Sequence, residues 1–249
     1  VSWSANAQGV WSHTQNPYST HGYYFVTDQA HLQREIQPTK EQYSATSVID
    51  VDWYMSLNVH EKDSFNLIDL TGQSGGGREF YGEFLNAQRR DRAITFPLYG
   101  VRKDLAARCV VDMAAYSGEV TPVQITYAGV TETMKMAAIS VTDFHTKANT
   151  RKTTLNAQPQ SEEEQIVELT FKSNQAGATA HLNYIELHVP CTLAMNGSEL
   201  SITNTEYLGA SQSLRFNLEN ASSSTQIWRV TNGVDVELMP IHYNGNTIT

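Results

Sequence analysis

One stretch of the chain constrains its fold more than any other. Over residues 166–173, Val167, Leu169, Phe171 and Ser173 alternate with Glu168, Thr170 and Lys172. A period of two with one polar face is a β-strand lying half-buried on a core. Asn174-Gln175-Ala176-Gly177 follows and reads as a turn. Residues 180–189 then resume an apolar pattern, with Ile185, Leu187 and Val189 on one face and Asn183 interrupting it. The expected product is a β-hairpin.

The rest of the chain repeats this signature. Strand-like runs cover residues 47–60, 94–99, 108–116, 120–127 and 133–141, punctuated by Gly100, Gly118 and Gly129. Further runs lie at 214–218, 226–231 and 234–239, and Asn232-Gly233, a strong hairpin signal, separates the last two. Short strands with frequent turns indicate an antiparallel sandwich or barrel. Helix is scarce. Residues 28–36 are predicted as one, capped by Asp28 and stopped by Pro38. Ser161-Glu162-Glu163-Glu164 reads as a solvated loop leading into the next strand. The expected class is all-β: a central jelly-roll-like antiparallel β-sandwich with additional N- and C-terminal strands. The joint Gln73-Ser74-Gly75-Gly76-Gly77 and the strand-ending Pro190 suggest three parts. These are a β-rich segment over 1–74, the sandwich over 75–190, and a C-terminal β meander over 191–249.

The 249 residues are 40% hydrophobic, enough for a core, and carry a formal net charge of −9. No basic patch is present, because Asp91 interrupts the densest run, Arg89-Arg90 with Arg92. Nucleic acid is therefore not an expected partner, and an acidic chain is repelled by anionic membranes. No run of 18 apolar residues exists for a spanning helix, so direct membrane insertion is not expected. The abrupt start Val1-Ser2-Trp3-Ser4 and the end Ile248-Thr249 suggest a processed chain or a piece of a longer one.

Candidate chemistry is thin. Gly75-Gly76-Gly77-Arg78 lacks the Lys and the helix start of a phosphate loop. The eight histidines include no HExxH pair. His181 and His188, seven apart on one strand, are expected on opposite faces and about 23 Å apart. His60-Glu61 with Asp63 suggests a strand-end surface cluster rather than a cation site. Cys109 and Cys191 sit in apolar runs and read as small buried hydrophobes, with a single disulfide as the alternative. There is no GxSxG nucleophile elbow. Glu83 follows Tyr81-Gly82 in an apolar stretch. It either has a raised pKa in an apolar site or pairs with a cation such as Arg78, and pairing is the expectation. Trp3, Trp11, Tyr18, Tyr23 and Tyr24 cluster near the start. They are read as a buried anchor for the terminus, or else as ligand-facing aromatics for a sugar. No catalytic, cofactor-binding or metal residue is assigned.

Four stretches, taken in order, carry a resemblance. They are Asn16-Pro17-Tyr18-Ser19 with Tyr23-Tyr24-Phe25-Val26-Thr27; His60-Glu61-Lys62 and Asn66 leading to Gly77-Arg78-Glu79-Phe80-Tyr81-Gly82-Glu83-Phe84; Leu182-Asn183-Tyr184-Ile185-Glu186-Leu187; and Ile227-Trp228-Arg229-Val230-Thr231-Asn232. Together they resemble the region before the peptidase domain in the PorU-like sortases of the type IX secretion system, relatives of the gingipain cysteine peptidases. Departures exist. Phe80 stands where the family usually has Trp, and Arg229 and Gly233 replace an Asp and a Pro. The family's catalytic Cys and His lie C-terminal to this region, so no catalytic role passes to Cys109 or Cys191. Arg78, Tyr81, Gly82, Glu83 and Trp228 are the motif residues. The resemblance implies a secreted or outer-membrane-associated surface protein of a Gram-negative, Bacteroidota-like bacterium. It implies a non-catalytic accessory region whose partners are a downstream peptidase domain in cis and other secretion-system proteins. A carbohydrate-binding module of a surface glycan-handling protein is the alternative.

Overall fold

The computed structural model describes residues 1–16, 19, 21, 28–29, 35–41, 47–64, 66–67, 80–142, 148–207, 212–231 and 235–249. Those residues are all-β and contain no helix. In chain order the strands are β1 (Ser2–Ala5), β2 (Trp11–Thr14), β3 (Gln37–Pro38), β4 (Val48–Val51), β5 (Trp53–Glu61), β6 (Phe84–Leu85), β7 (Asp91–Pro97), β8 (Ala107–Tyr116) and β9 (Thr121–Tyr127). They continue with β10 (Val130–Met136), β11 (Asn149–Ala157), β12 (Glu164–Phe171), β13 (Thr179–Thr192), β14 (Ser213–Phe216), β15 (Trp228–Thr231), β16 (Asp235–Leu238), β17 (Tyr243–Asn244) and β18 (Thr247–Ile248). Most of the predicted helix, residues 30–34, lies outside the described residues.

The chain divides into two compact units. The first comprises Val1–Pro17 and Met55–Cys191. It is a sandwich of a four-stranded sheet, ordered β10-β9-β12-β7, and a five-stranded sheet in which β11-β8-β13-β5 run in order and β6 adds to β13. The inner faces supply the core. Val123, Ile125 and Tyr127 from β9 and Val167, Leu169 and Phe171 from β12 face Cys109, Val111 and Met113 from β8 and Ile185, Leu187 and Val189 from β13, all nearly or fully buried. The alternation in β12 is therefore what the sequence shows: one face in the core, Glu168 and its neighbours in solvent. Tyr127 donates its buried hydroxyl to Gln165 at 3.0 Å, which satisfies the polar end of a core aromatic.

Two sequence expectations fail instructively. The strand pair expected as a hairpin, β12 and β13, is not paired at all. β12 lies between β9 and β7, and β13 between β8 and β5, so residues 172–178 carry the chain from one sheet to the other. The turn itself is present: Ala178 N–H donates to Gln175 O at 3.3 Å, and Gly177 takes φ +80°, the left-handed region glycine tolerates. A turn sequence fixes where the chain reverses but not whether the reversal joins partners within one sheet. The second failure concerns Asn183. The β13–β8 register shifts between Leu182 and Tyr184, the mark of a β-bulge. His181, Tyr184, Glu186 and His188 then stand opposite Ala114, Asp112, Val110 and Arg108. These partners alternate along β8, so all four β13 residues share the outer face of the five-stranded sheet. The two histidines are on the same face, not opposite ones.

The second unit comprises Tyr18–Tyr54 and Thr192–Thr249. It holds a parallel β14-β4 pair, a β15-β16-β3 sheet and the β17-β18 pair. Its small core is Leu193, Leu218, Ala221 and Ile248, with Tyr54, Phe216 and Ile227 packed against it. β15 and β16 pair antiparallel as expected, and the intervening 232–234 lie outside the described residues.

Candidate functional site

Among the described residues, an ionisable constellation lies on the outer face of the five-stranded sheet, beneath the β1–β2 hairpin. The hairpin forms because Asn6 builds its turn: Asn6 Oδ1 accepts the N–H groups of Gln8 and Val10, each at 3.0 Å, and Gly9 adopts φ +75°. Antiparallel register places Trp3 opposite His13 and Ala5 opposite Trp11. These four residues share one face, while Ser2, Ser4, Ser12 and Thr14 form the exposed one.

His13 joins this hairpin to the sheet. Its backbone N–H donates to Glu186 Oε1 at 2.8 Å, and its ring Nδ1 donates to the same oxygen at 2.6 Å. Ring Nε2 donates to Glu61 Oε2 at 2.9 Å. The three side chains are only 5%, 4% and 13% exposed for His13, Glu186 and Glu61. Burial alone pushes the His13 ring toward neutrality; the hydrogen bonds to Glu186 and Glu61 outweigh it and raise its pKa to about 9. Burial likewise pushes Glu186 upward, and the His13 bonds bring it below the ordinary value. The cluster is thus an imidazolium held between two carboxylates.

Aromatic and charged neighbours close around it. The Tyr184 ring stands edge-on to His13 with centroids 4.5 Å apart, and Lys152 Nζ lies 5.0 Å from the Tyr184 centroid. Lys152 also approaches Asp112 Oδ2 at 3.8 Å. Trp3 touches both histidines, at 5.7 Å to His13 and 5.5 Å to His188 between ring centroids. His188 is the opposite case to His13. Burial pushes its pKa down to about 4. Its Nε2 is 3.8 Å from Glu186 Oε2, beyond hydrogen-bond reach, and it has no hydrogen-bond partner. At neutral pH that contact is between a neutral ring and a carboxylate, not an ion pair.

What this arrangement can do follows from its protonation. An imidazolium donating from both nitrogens has no lone pair with which to accept a proton or bind a metal. Both carboxylates are committed to it. The geometry makes a clasp rather than an acid–base or nucleophilic centre.

A second cluster surrounds Glu83. Its Oε1 accepts from His60 Nε2 and Lys62 Nζ, both at 2.8 Å, and its side chain is 9% exposed. Burial pushes the carboxyl up, but the Lys62 and His60 bonds outweigh it and leave the pKa below the ordinary value. Glu83 is therefore an ionised, paired carboxylate and not an acid held neutral in an apolar site. Arg78 lies outside the described residues. Gly82 brings two chain segments together: a Cβ there would lie 2.9 Å from Lys62 Cβ and 3.0 Å from Lys62 O. Tyr81 is buried with Leu67 and Ala114.

The other residues marked in the sequence fall as follows. His60, Glu61 and Asp63 take three different partners, Glu83, His13 and Gln15. Trp3 and Trp11 are half-buried on the inner face of the hairpin, and Tyr18 lies outside the described residues. Trp228 is 53% exposed and donates its Nε1–H to Gln226. Cys109 and Cys191 are both buried thiols that do not bridge, which removes the disulfide alternative. Burial pushes the Cys109 thiol up to about 12, the reverse of a reactive thiolate. Sequence reasoning missed His13, Glu186 and Lys152. The signal available was Glu186 itself, a carboxylate in a strand otherwise apolar enough to be buried.

No family model matches the chain, and no curated protein matches it. Among solved structures, dimeric latent PorU from Porphyromonas gingivalis matches over 99% of this chain with a TM-score of 0.83 and 22% identity. The chain spans only 23% of that PorU chain. A carbohydrate-binding module, CBM36 in complex with calcium and xylotriose, matches 42% of this chain and 77% of its own, at 15% identity and a TM-score of 0.30. A family 35 carbohydrate-binding module from Clostridium thermocellum covers 54% of this chain and 90% of its own, at 12% identity and 0.30. Those partial likenesses carry no argument about ligands. The fold of this chain is that of the matched region of PorU.

Proposed function

We propose that this chain is a non-catalytic accessory region of a secreted or surface PorU-like protein, which supports or presents a peptidase domain. One observation carries the reading: the PorU match extends over 99% of the chain, and so over both of its units. The site chemistry agrees with it. His13, Glu61, Glu83 and Glu186 are spent on internal pairs, and the two thiols are buried.

The sugar-binding alternative gains no such support. A platform for sugars needs a row of exposed aromatics. The outer face of the four-stranded sheet presents Thr95, Gln124, Thr126, Thr131, Thr133 and Thr170 instead. Among the described residues, the exposed aromatics Tyr99, Trp228 and Tyr243 lie in a loop after β7, in β15 and in β17, far apart in sequence. The coding sequence that flanks this chain in its native gene tests the proposal. A gingipain-like peptidase domain with its catalytic Cys and His is expected there; a glycan-hydrolysing domain would overturn it.

A further inference from the structure

We propose that the β1–β2 hairpin is a pH-gated strap: it docks on the outer face of the five-stranded sheet through His13, and releases when His13 loses its proton or His188 gains one. The inference concerns this region's own conformation and does not rest on the proposed function.

The hairpin is a separable element. Among the described residues its strands pair with each other alone, in the two-stranded sheet β1-β2. Its inner face offers Trp3, Trp11 and His13 to the sheet, with Ala5 exposed, so an aromatic contact and an ionic one hold it together. An isolated two-stranded hairpin is marginal in water, so the contacts to the sheet decide whether it stays ordered. His13 alone supplies three hydrogen bonds of that contact. A fourth, from Gln15 Nε2 to Asp63 Oδ2, is exposed and correspondingly weak.

The groups that face the clasp are identifiable on every element beneath it. Glu61 comes from β5, and Tyr184, Glu186 and His188 from β13. Arg108 and Asp112 come from β8, opposite His188 and Tyr184, and Lys152 comes from β11 above the Tyr184 ring. Trp3 covers His13 and His188 together. The same docking thus buries one histidine as a cation between two carboxylates and another as a neutral ring beside an arginine strand partner.

Opposite charge requirements give the dependence two limbs. His13 has its pKa raised on docking, to about 9, so its contribution is complete below its ordinary value of 6.5 and is lost as pH rises toward about 9. His188 has its pKa lowered, to about 4, so its neutral form is freely available above 6.5 and docking weakens as pH falls toward about 4. Glu186, also lowered, adds to the acid limb only below its ordinary value of 4.5. Docking is therefore strongest near pH 6.5 and falls by up to about tenfold per pH unit on each side.

Amide hydrogen exchange on the intact chain, expressed as protection factors, tests this. Protection of the residue 11–14 amides is expected to peak near about pH 6.5 and decline toward about pH 9 and about pH 5. The β8 amides should stay flat over that range. His13→Gln should lower hairpin protection and abolish the alkaline limb; His188→Gln should keep the clasp and abolish the acid limb. The proposal is overturned by flat hairpin protection across the range, by an equal decline in β8, or by a His188→Gln variant that keeps its acid limb.

Discussion

Replacing Glu186 by Gln changes the clasp while leaving its shape nearly intact. The wild-type carboxylate accepts two hydrogen bonds from His13, at 2.8 Å and 2.6 Å, in a site where both side chains are about nineteen-twentieths buried. Hydrogen bonds to a charged group are worth about 1.5–3 kcal/mol each and neutral ones about 0.5–1.5. The amide keeps an acceptor for both but removes its charge: the backbone bond becomes a neutral one and the ring bond loses one of its two charges, at a joint cost of about 2 kcal/mol. Glu61 is then the single counter-ion for His13, so the His13 pKa falls and its alkaline loss begins nearer neutrality. A double-mutant cycle with His13→Gln isolates this interaction. Urea unfolding followed by circular dichroism at about pH 6.5 should give a coupling energy of about 2 kcal/mol for the pair. A coupling below about 0.5 kcal/mol, the size of an exposed ion pair, would show that the buried contact is not the hold described here.

Other substitutions test the packing around the second cluster and the thiols. Tyr81→Ala empties a buried site beside Leu67 and Ala114 and should cost about 3–5 kcal/mol in urea unfolding, whereas an unchanged midpoint would place the ring in solvent. Gly82→Ala forces a Cβ to within 2.9 Å of Lys62 Cβ and should destabilise by about 1–3 kcal/mol; a neutral effect would mean that the two segments separate freely. Cys109 and Cys191 should resist a water-soluble thiol reagent in the native chain and react fully in urea. Native labelling at the unfolded rate would contradict their burial.

Much of the fold was legible before the structure because period two speaks directly to burial. Val167, Leu169 and Phe171 entered the core as their spacing requires. Strand β11 was not legible: Asn149–Ala157 is an edge strand whose mostly exposed Thr, Arg and Lys residues carry no apolar alternation, and only Leu155 and Ala157 turn fully inward. The partner of β12 was not legible either, because Asn174–Gly177 serves a hairpin and a sheet-to-sheet crossing equally well. Asn183 hid the shared face of His181 and His188, since one bulged residue reverses the alternation between the two sides of it, while Ile185, Leu187 and Val189 share a face as their spacing requires. The Glu83 pair was half legible: a charge partner was expected, and Lys62 and His60 supply it. The clasp escaped because its halves are 173 residues apart and one half sits in a short polar hairpin with no pattern of its own.

The proposed accessory role predicts that the ionisable groups serve the region's own architecture and leave chemistry to another domain. The most direct test is to incubate the purified chain with a broad peptide library and read cleavage by mass spectrometry. No cleavage above buffer is expected, with or without Cys109→Ala and Cys191→Ala. Cleavage that survives both cysteine substitutions, and disappears on replacing one Ser or Glu of this chain, would make it a hydrolase in its own right.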